Sequence, residues 1–331
     1  MRIVFHGENA AAFSDNFGAL VGTTHEVSVL PDVLASDQDR VVYAAADAII
    51  GGRFHRGLPV APTLRLFQVP GAGYDAVDVD ALPGPAVVCN CFGHEQAIAE
   101  YVMTALLLRH VPLADADTRL RQGDWAYWAG ARERAHDELA GKTIGLLGYG
   151  HIGKAIAARA RAFEMRVHVA NRSAVAASSV VDRSFTLDQL DEFWPSADFF
   201  VASVPLTPET ARMVDARAFA AMRSSAVIVN VGRGPTIDER ALYDALATGR
   251  IAGAIIDTWY SYPSPDAPNP MPSALPFHAL PNLVMTPHMS GWTSGTIRRR
   301  QATMAANIER LADGQPLQNV VRPARAAPPS R

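Results

Sequence analysis

Gly148-Tyr149-Gly150-His151-Ile152-Gly153 fits the pattern G-x-G-x-x-G and stands between an apolar, β-branched run (143–147) and a helical pattern (152–163). In that setting each glycine has its own task. The first permits a tight turn, the second lets a pyrophosphate approach the backbone, and the third lets helix and strand pack closely. The helix start at His151 and Ile152 offers N–H groups and partial positive charge to phosphates. The next strand candidate, 166–170, is followed by Asn171-Arg172-Ser173, where an acidic residue would accept the ribose hydroxyls of NAD. Asn171 does not repel a 2′-phosphate, Arg172 can pair with it, and Ser173 can donate to it. We read this as a preference for NADP(H); if Arg172 only stacks on adenine, NAD binds as well. Further reactive residues fall at strand ends: Val204-Pro205, Gly232-Arg233, Asp257 and Pro287-His288. Open α/β sheets bind ligands at the carboxyl ends of strands, so this cation, carboxylate and imidazole are expected to share one crevice.

The elements that must position these residues alternate along the chain. Strand candidates are 2–5, 64–69, 143–147, 166–170, 199–203, 227–231, 254–256 and 283–286. Most are continuous apolar runs, as parallel strands covered on both faces require. Helical patterns lie at 152–163, 216–222 and 239–247; in the first, Ile152, Ile156, Ala160 and Phe163 share a face and Lys154, Arg159 and Arg161 stay wet. The fold class is therefore α/β with doubly wound sheets. One sheet covers about 1–91 and another starts near 143, with a long helical stretch, 95–121, between them. A last helix, 295–313, is placed to return to the first domain and make it discontinuous. The tail, 322–331, rich in Pro, Ala and Arg, reads as disordered. Residues 263–281 hold seven prolines (263, 265, 268, 270, 272, 276 and 281), which predicts a stiff irregular loop, either a surface connection or a wall of the site.

Composition narrows the function classes. A length of 331 residues fits two domains, and 49% apolar with 19% charged residues fits an ordinary globular protein. A net charge of −3 argues against an extended nucleic-acid footprint. The first residues lack an apolar run long enough for a signal peptide, and no stretch reaches a membrane span. The two cysteines, Cys89 and Cys91, support neither a disulfide framework nor a four-ligand zinc site, and no cluster has metal-ligand spacing. We expect a cytoplasmic enzyme with no metal, nucleic-acid partner or membrane partner.

Over nearly its whole length the chain resembles the D-isomer-specific 2-hydroxyacid dehydrogenases. The resemblance rests on Val69-Pro70-Gly71-Ala72-Gly73-Tyr74-Asp75, Asn90 with Ala99-Glu100, the Gly148 to Gly153 turn, Val204-Pro205-Leu206-Thr207-Pro208-Glu209-Thr210, Asn230-Val231-Gly232-Arg233-Gly234, Ala254-Ile255-Ile256-Asp257 and Thr286-Pro287-His288. It implies two Rossmann-like domains: a discontinuous, flavodoxin-like substrate domain (1–94 with 292–331) and a dinucleotide-binding domain (95–291). It also implies a homodimer held by the helix around 97–109. By the same resemblance, Arg233 binds the substrate carboxylate and polarises its keto oxygen, and His288 is the proton donor and acceptor. Gly71, Ala72, Gly73 and Asn90 serve the substrate; Val204, Pro205, Thr210, Val231, Gly232 and Asp257 serve the cofactor, Asp257 at the nicotinamide carboxamide. The substrate would be a small 2-keto or 2-hydroxy acid.

One position departs from the family pattern. A glutamate usually pairs with the histidine, and here Tyr262 stands in its place, followed by Pro263. A tyrosine can orient an imidazole but brings no charge at neutral pH, so reduction is expected to decline above roughly pH 6.5–7. Two alternatives stay open: formate-dehydrogenase-like oxidation of a small anion, whose enzymes resemble this aromatic, proline-rich segment, and a catalytically weak dinucleotide-sensing binding protein.

Overall fold

A computed structural model describes residues 1–22, 25–130, 132–264 and 266–325. The chain divides into two compact units, Met1–Gly93 with Thr293–Arg331, and His94–Trp292. His94 and Trp292 thus both lie in the second unit.

The first unit opens with β1 (Arg2–His6), α1 (Glu8–Ala11), β2 (Glu26–Leu30), α2 (Asp37–Ala44), β3 (Ala48–Gly51), β4 (Leu66–Gln68) and β5 (Val87–Cys89). α2 starts where the Ser36 hydroxyl accepts the N–H of Asp39 at 3.0 Å, with Asp37 and Asp39 in its first turn. β3 and β4 are buried along their whole length and, apart from Gln68, are apolar as such burial requires.

The second unit begins with α3 (Glu95–His110) and α4 (Leu113–Leu120). The single helical stretch expected over 95–121 is in fact broken: Val111 is extended (φ −104°, ψ 104°) and Pro112 starts the next helix. Proline disfavours helical geometry in the residue before it and lacks the N–H to continue the ladder. There follow β6 (Thr143–Leu147), α5 (His151–Ala162), β7 (Arg166–Ala170), β8 (Arg183–Phe185), α6 (Leu190–Phe193), β9 (Phe199–Ala202), α7 (Ala216–Ala221), β10 (Val227–Asn230), α8 (Glu239–Ala247), β11 (Gly253–Ile256) and β12 (Leu283–Met285). Phe163 lies just past α5 and is exposed rather than part of its apolar face.

Among the described residues these strands form one seven-stranded sheet in the order β12-β11-β10-β9-β6-β7-β8, and every pairing is parallel. Successive side chains point to opposite faces. Phe199, Val201, Val227, Val229 and Ile255 pack with Ile98, Val102 and Leu106 of α3 and Ile156 of α5. Phe200, Ile228, Ala254 and Ile256 pack with Phe219 of α7 and Leu242 and Leu246 of α8. Both faces of β6, β9, β10 and β11 are covered, so these strands are almost wholly apolar.

The chain then returns to the first unit through α9 (Ser294–Ala312) and β13 (Val320–Arg322). Thr293 caps α9 by accepting the N–H of Thr296, and Met304, Ala305 and Ile308 pack on Ile3, Phe5, Ile50 and Leu66. β13 runs antiparallel beside β5, completing the order β13-β5-β4-β3-β1-β2. The disorder expected from 322 onward fails at its start. Arg322 is buried and donates to the carbonyls of Pro83 (2.9 Å) and Ala86 (2.7 Å), and Arg325 pairs with Asp80. Residues 326–331 lie outside the described residues. The return is fastened by Asn307, which donates to Gln68 Oε1 at 2.8 Å and to Gln318 O at 3.1 Å and accepts from Gln318 N at 2.8 Å.

Replacing Asn307 by Leu strands these groups beside a buried glutamine. The expected cost is about 2–3 kcal/mol, read as a fall of several degrees in the thermal midpoint.

Candidate active site

β6 sits where the strand order reverses, between β7 and β9, and its carboxyl end is the switch point at which such sheets bind ligands. Gly148 leaves the strand at φ +98° and donates its N–H to Ala170 O at 2.8 Å. A side-chain carbon on Gly153 would strike the carbonyl of Gly148, so the closeness of helix and strand demands glycine there. At Gly150 a side-chain carbon would meet nothing within 4 Å, and Gly150 caps α5 without a side-chain hydrogen bond. Gly150 thus offers no side-chain acceptor of its own to the first turn that His151 and Ile152 open, and the space at Gly150 would admit a phosphate. Asn171 accepts the N–H of Tyr149 at 3.4 Å and donates to Ser173 O at 3.0 Å, tying the end of β7 to the glycine turn. Arg172 and Ser173 are exposed beside it.

The ends of β9 and β10 meet backbone to backbone. A Cβ on Gly232 would lie 2.8 Å from Val204 O, and one on Gly148 would lie 3.0 Å from Val204 Cγ1. Val231 is buried and Pro205 is exposed. The Thr210 hydroxyl closes its own loop, donating to Pro205 O at 2.6 Å and accepting from Thr207 N at 2.8 Å.

Arg233, Asp257 and His288 follow three neighbouring strands, β10, β11 and β12. The Arg233 carbonyl accepts from Asn230 Nδ2 at 3.0 Å and Thr236 Oγ1 at 2.6 Å, and its Nη1 donates to Gly232 O at 3.0 Å. Gly234 presses on the Trp259 backbone so closely that a Cβ would clash with the Trp259 carbonyl. The Asp257 carboxylate is fully buried and accepts three hydrogen bonds: Thr286 Oγ1 at 2.6 Å, Met289 N at 2.9 Å and Ser290 N at 3.0 Å. Between those donors stands His288, exposed and held at φ +58°. That left-handed geometry costs a non-glycine residue on the order of 1–3 kcal/mol. Sequence reasoning placed Asp257 at the cofactor; the hydrogen bonds seen here fasten the loop that carries His288.

Tyr262, 44% exposed, accepts the N–H of Trp259 through its hydroxyl at 3.0 Å, and its ring centre lies 5.6 Å from that of His288, tilted by 52°. Trp259 in turn donates Nε1–H to Thr286 O at 2.8 Å. The proline-rich segment is folded back: Tyr260 N and Ser261 N both donate to Pro272 O, and Ser273 Oγ donates to Glu239 Oε1 at 2.5 Å. Pro265 lies outside the described residues.

In the first unit, Gly71, Ala72 and Gly73 follow β4. Asn90 Nδ2 donates to Ala72 O at 2.8 Å and Cys91 N donates to Gly71 O at 2.9 Å. Cys89 and Cys91 are free core thiols that burial pushes up to about 12. Sequence reasoning missed Arg300 of α9, whose Nη1 lies 3.9 Å from the place of a side chain on Gly71. It also missed Tyr101 of α3, whose hydroxyl lies 2.7 Å from Thr286 Oγ1. Neither stands in a recognisable motif. His94 precedes α3 with Nδ1 3.6 Å from Glu95 Oε2.

The two glycines separate folding from binding. Gly150→Val has room for its side chain and should keep the thermal midpoint while weakening dinucleotide binding at least tenfold in a fluorescence titration. Gly153→Val should lower the midpoint itself.

Residues 102–290 match the family profile described as D-isomer specific 2-hydroxyacid dehydrogenase, NAD binding domain, so the cofactor of this fold is a nicotinamide dinucleotide. The chain is 34% identical to the D-3-phosphoglycerate dehydrogenase of Mycobacterium leprae over 77% of its own length, and spans 46% of that protein. It is 31% identical to glyoxylate/hydroxypyruvate reductase B of Yersinia enterocolitica, covering 88% of this chain and 89% of that one. Among solved structures it is similar to the NADPH-dependent glyoxylate/hydroxypyruvate reductase of Sinorhizobium meliloti in complex with NADP and malonate, with 27% identity, a TM-score of 0.78 and 99% of each chain covered. The chain belongs to the D-isomer specific 2-hydroxyacid dehydrogenase family.

Proposed function

We propose that the protein is a cytoplasmic oxidoreductase that reduces a small 2-keto acid to the D-2-hydroxy acid, with NADPH preferred over NADH. The observation that carries this reading is the succession of Arg233, Asp257 and His288 at the ends of adjacent parallel strands, in the same sheet as a glycine turn with open space at Gly150. A bound nicotinamide dinucleotide supplies the hydride. The chain's own residues do the rest. Gly148, Gly150 and Gly153 with the start of α5 hold the pyrophosphate, and Asn171, Arg172 and Ser173 meet the ribose, Arg172 supplying the charge a 2′-phosphate needs. Val204, Pro205, Val231 and Gly232 line the dinucleotide. Arg233 binds the substrate carboxylate and draws electron density onto the keto oxygen. His288 gives its proton to that oxygen as the carbon is reduced, and takes it back in the reverse direction. Tyr262 keeps the imidazole in place by packing rather than by charge. In the first unit, the amides of Ala72 and Gly73, steadied by Asn90, are assigned to the substrate carboxylate. The Sinorhizobium enzyme's complex with NADP and malonate, a small dicarboxylate, supports the same substrate class.

We assign the partner as a second copy of this chain. Leu108, Leu113, Leu120, Trp125 and Trp128 follow one another through α3, α4 and the segment beyond, and all are exposed, Leu113 at 66% and Trp125 at 62%. Such a run of bare apolar side chains marks an interface.

A screen of NADPH oxidation with glyoxylate, hydroxypyruvate, phenylpyruvate and branched keto acids should find at least one substrate. Arg233→Ala and His288→Ala should each lower kcat/KM by about 100-fold or more; full activity in both ends the assignment. NADPH should outperform NADH in kcat/KM, and Arg172→Ala should reduce that ratio about tenfold or more; a higher kcat/KM with NADH refutes the cofactor preference. Leu113→Glu combined with Trp125→Ser should turn a dimer into a monomer in sedimentation velocity.

A further inference from the structure

We propose that Tyr101, on α3, is a positioning residue for His288: its hydroxyl, acting through Thr286 and Asp257, holds the 286–290 loop in the turn that presents the imidazole. The inference rests on the proposed role of His288.

The direction of each hydrogen bond follows from the donors available. The Asp257 carboxylate accepts from Thr286 Oγ1 at 2.6 Å, which uses the one hydrogen of that hydroxyl. Tyr101 Oη lies 2.7 Å from the same Thr286 oxygen, so Tyr101 donates and Thr286 relays. Burial pushes the Tyr101 hydroxyl above its ordinary range, against the opposing effect of its bond to Thr286 and with a smaller rise from the Asp257 charge, so it stays protonated and able to donate. Beyond Asp257 the relay ends on the N–H groups of Met289 and Ser290, the two residues after His288. Thr286 is gripped a second time, through its carbonyl, by Trp259 Nε1 at 2.8 Å. The residue between these clamps has a positive φ, a geometry that persists only where its surroundings over-determine it. α3 is itself fixed at its far end, where Arg109 Nη2 donates to Ala252 O at 2.5 Å. Tyr101 is therefore a fixed post and not a mobile surface phenol.

Loss of the Tyr101 hydroxyl leaves Thr286 free to turn its hydrogen away from Asp257, and the carboxylate then holds the loop less firmly. Chemistry suffers first, because proton transfer depends on the place of the imidazole, while dinucleotide binding at the glycine turn does not.

The test uses the full chain labelled with 13C-histidine, the His288 signal being identified by its absence in His288→Ala. Tyr101→Phe should lower kcat for the best keto acid about tenfold, leave the NADPH Kd within twofold, and move the His288 resonance. Thr286→Val should do the same, Thr286→Ser should recover most of the loss, and the double variant Tyr101→Phe/Thr286→Val should be no worse than the poorer single variant. A Tyr101→Phe enzyme with unchanged kcat and an unmoved His288 resonance overturns the proposal, as do fully additive losses. If Tyr101→Phe does not fold, the Thr286→Val and Thr286→Ser pair decides by the same readouts. If the unaltered chain reduces no keto acid, the functional reading falls and the resonance alone judges the brace: moved, it stands; unmoved, it fails.

Discussion

A fully buried carboxylate that accepts three hydrogen bonds is the fixed point around which the proposed catalytic end of the second unit is arranged. Asp257 leaves β11 and takes donors from Thr286, Met289 and Ser290. A carboxylate without such donors would be costly to bury, so the loop after β12 must close over it. The closure forces His288 into a left-handed conformation and turns its imidazole outward. The proton-transfer group of the proposed reaction is thus held by a neighbouring strand and not by its own.

Close backbone contact is the second constraint. Gly153, Gly232 and Gly234 each bring two main-chain segments nearer than any side chain allows. Together they draw the ends of β6, β9, β10 and β11 into one compact rim. Gly150 is the exception, with space around it, and that space is what a phosphate needs. Glycines of one motif can therefore do opposite work, some excluding atoms and one admitting them.

Much of this was legible in the sequence because parallel strands covered on both faces leave continuous apolar runs. β6, β7, β9, β10, β11 and β12 were all found within a residue of their ends. β2, β3, β5, β8 and β13 escaped notice. β2 alternates Glu26-Val27-Ser28-Val29-Leu30 at a sheet edge, and β8 and β13 are three residues long. β13 exists only because β5 lies beside it, and its buried Arg322 resembles a charged tail until Pro83 and Ala86 supply acceptors. The glycine turn and the strand-end residues announced themselves through motif and position. The roles of Asp257, Thr286 and Tyr101 did not, because a carboxylate bonded to amides some thirty residues downstream leaves no periodic trace. Tyr262 was visible as a departure, but its grip on the Trp259 N–H and its ring contact with His288 required coordinates.

The discontinuity of the first unit has a consequence for how the chain is made. Its edge strand and covering helix, β13 and α9, leave the ribosome only after the second unit, which is contiguous and complete before them. Until Asn307 reaches Gln68, the apolar surface of Ile3, Phe5, Ile50 and Leu66 has Phe13 and Phe17 against it but lacks Met304, Ala305 and Ile308. The nascent amino-terminal segment must therefore wait, sticky and half-dressed, through the synthesis of some two hundred further residues. That places its demand for chaperone protection early and its release from that demand after the second unit has been made.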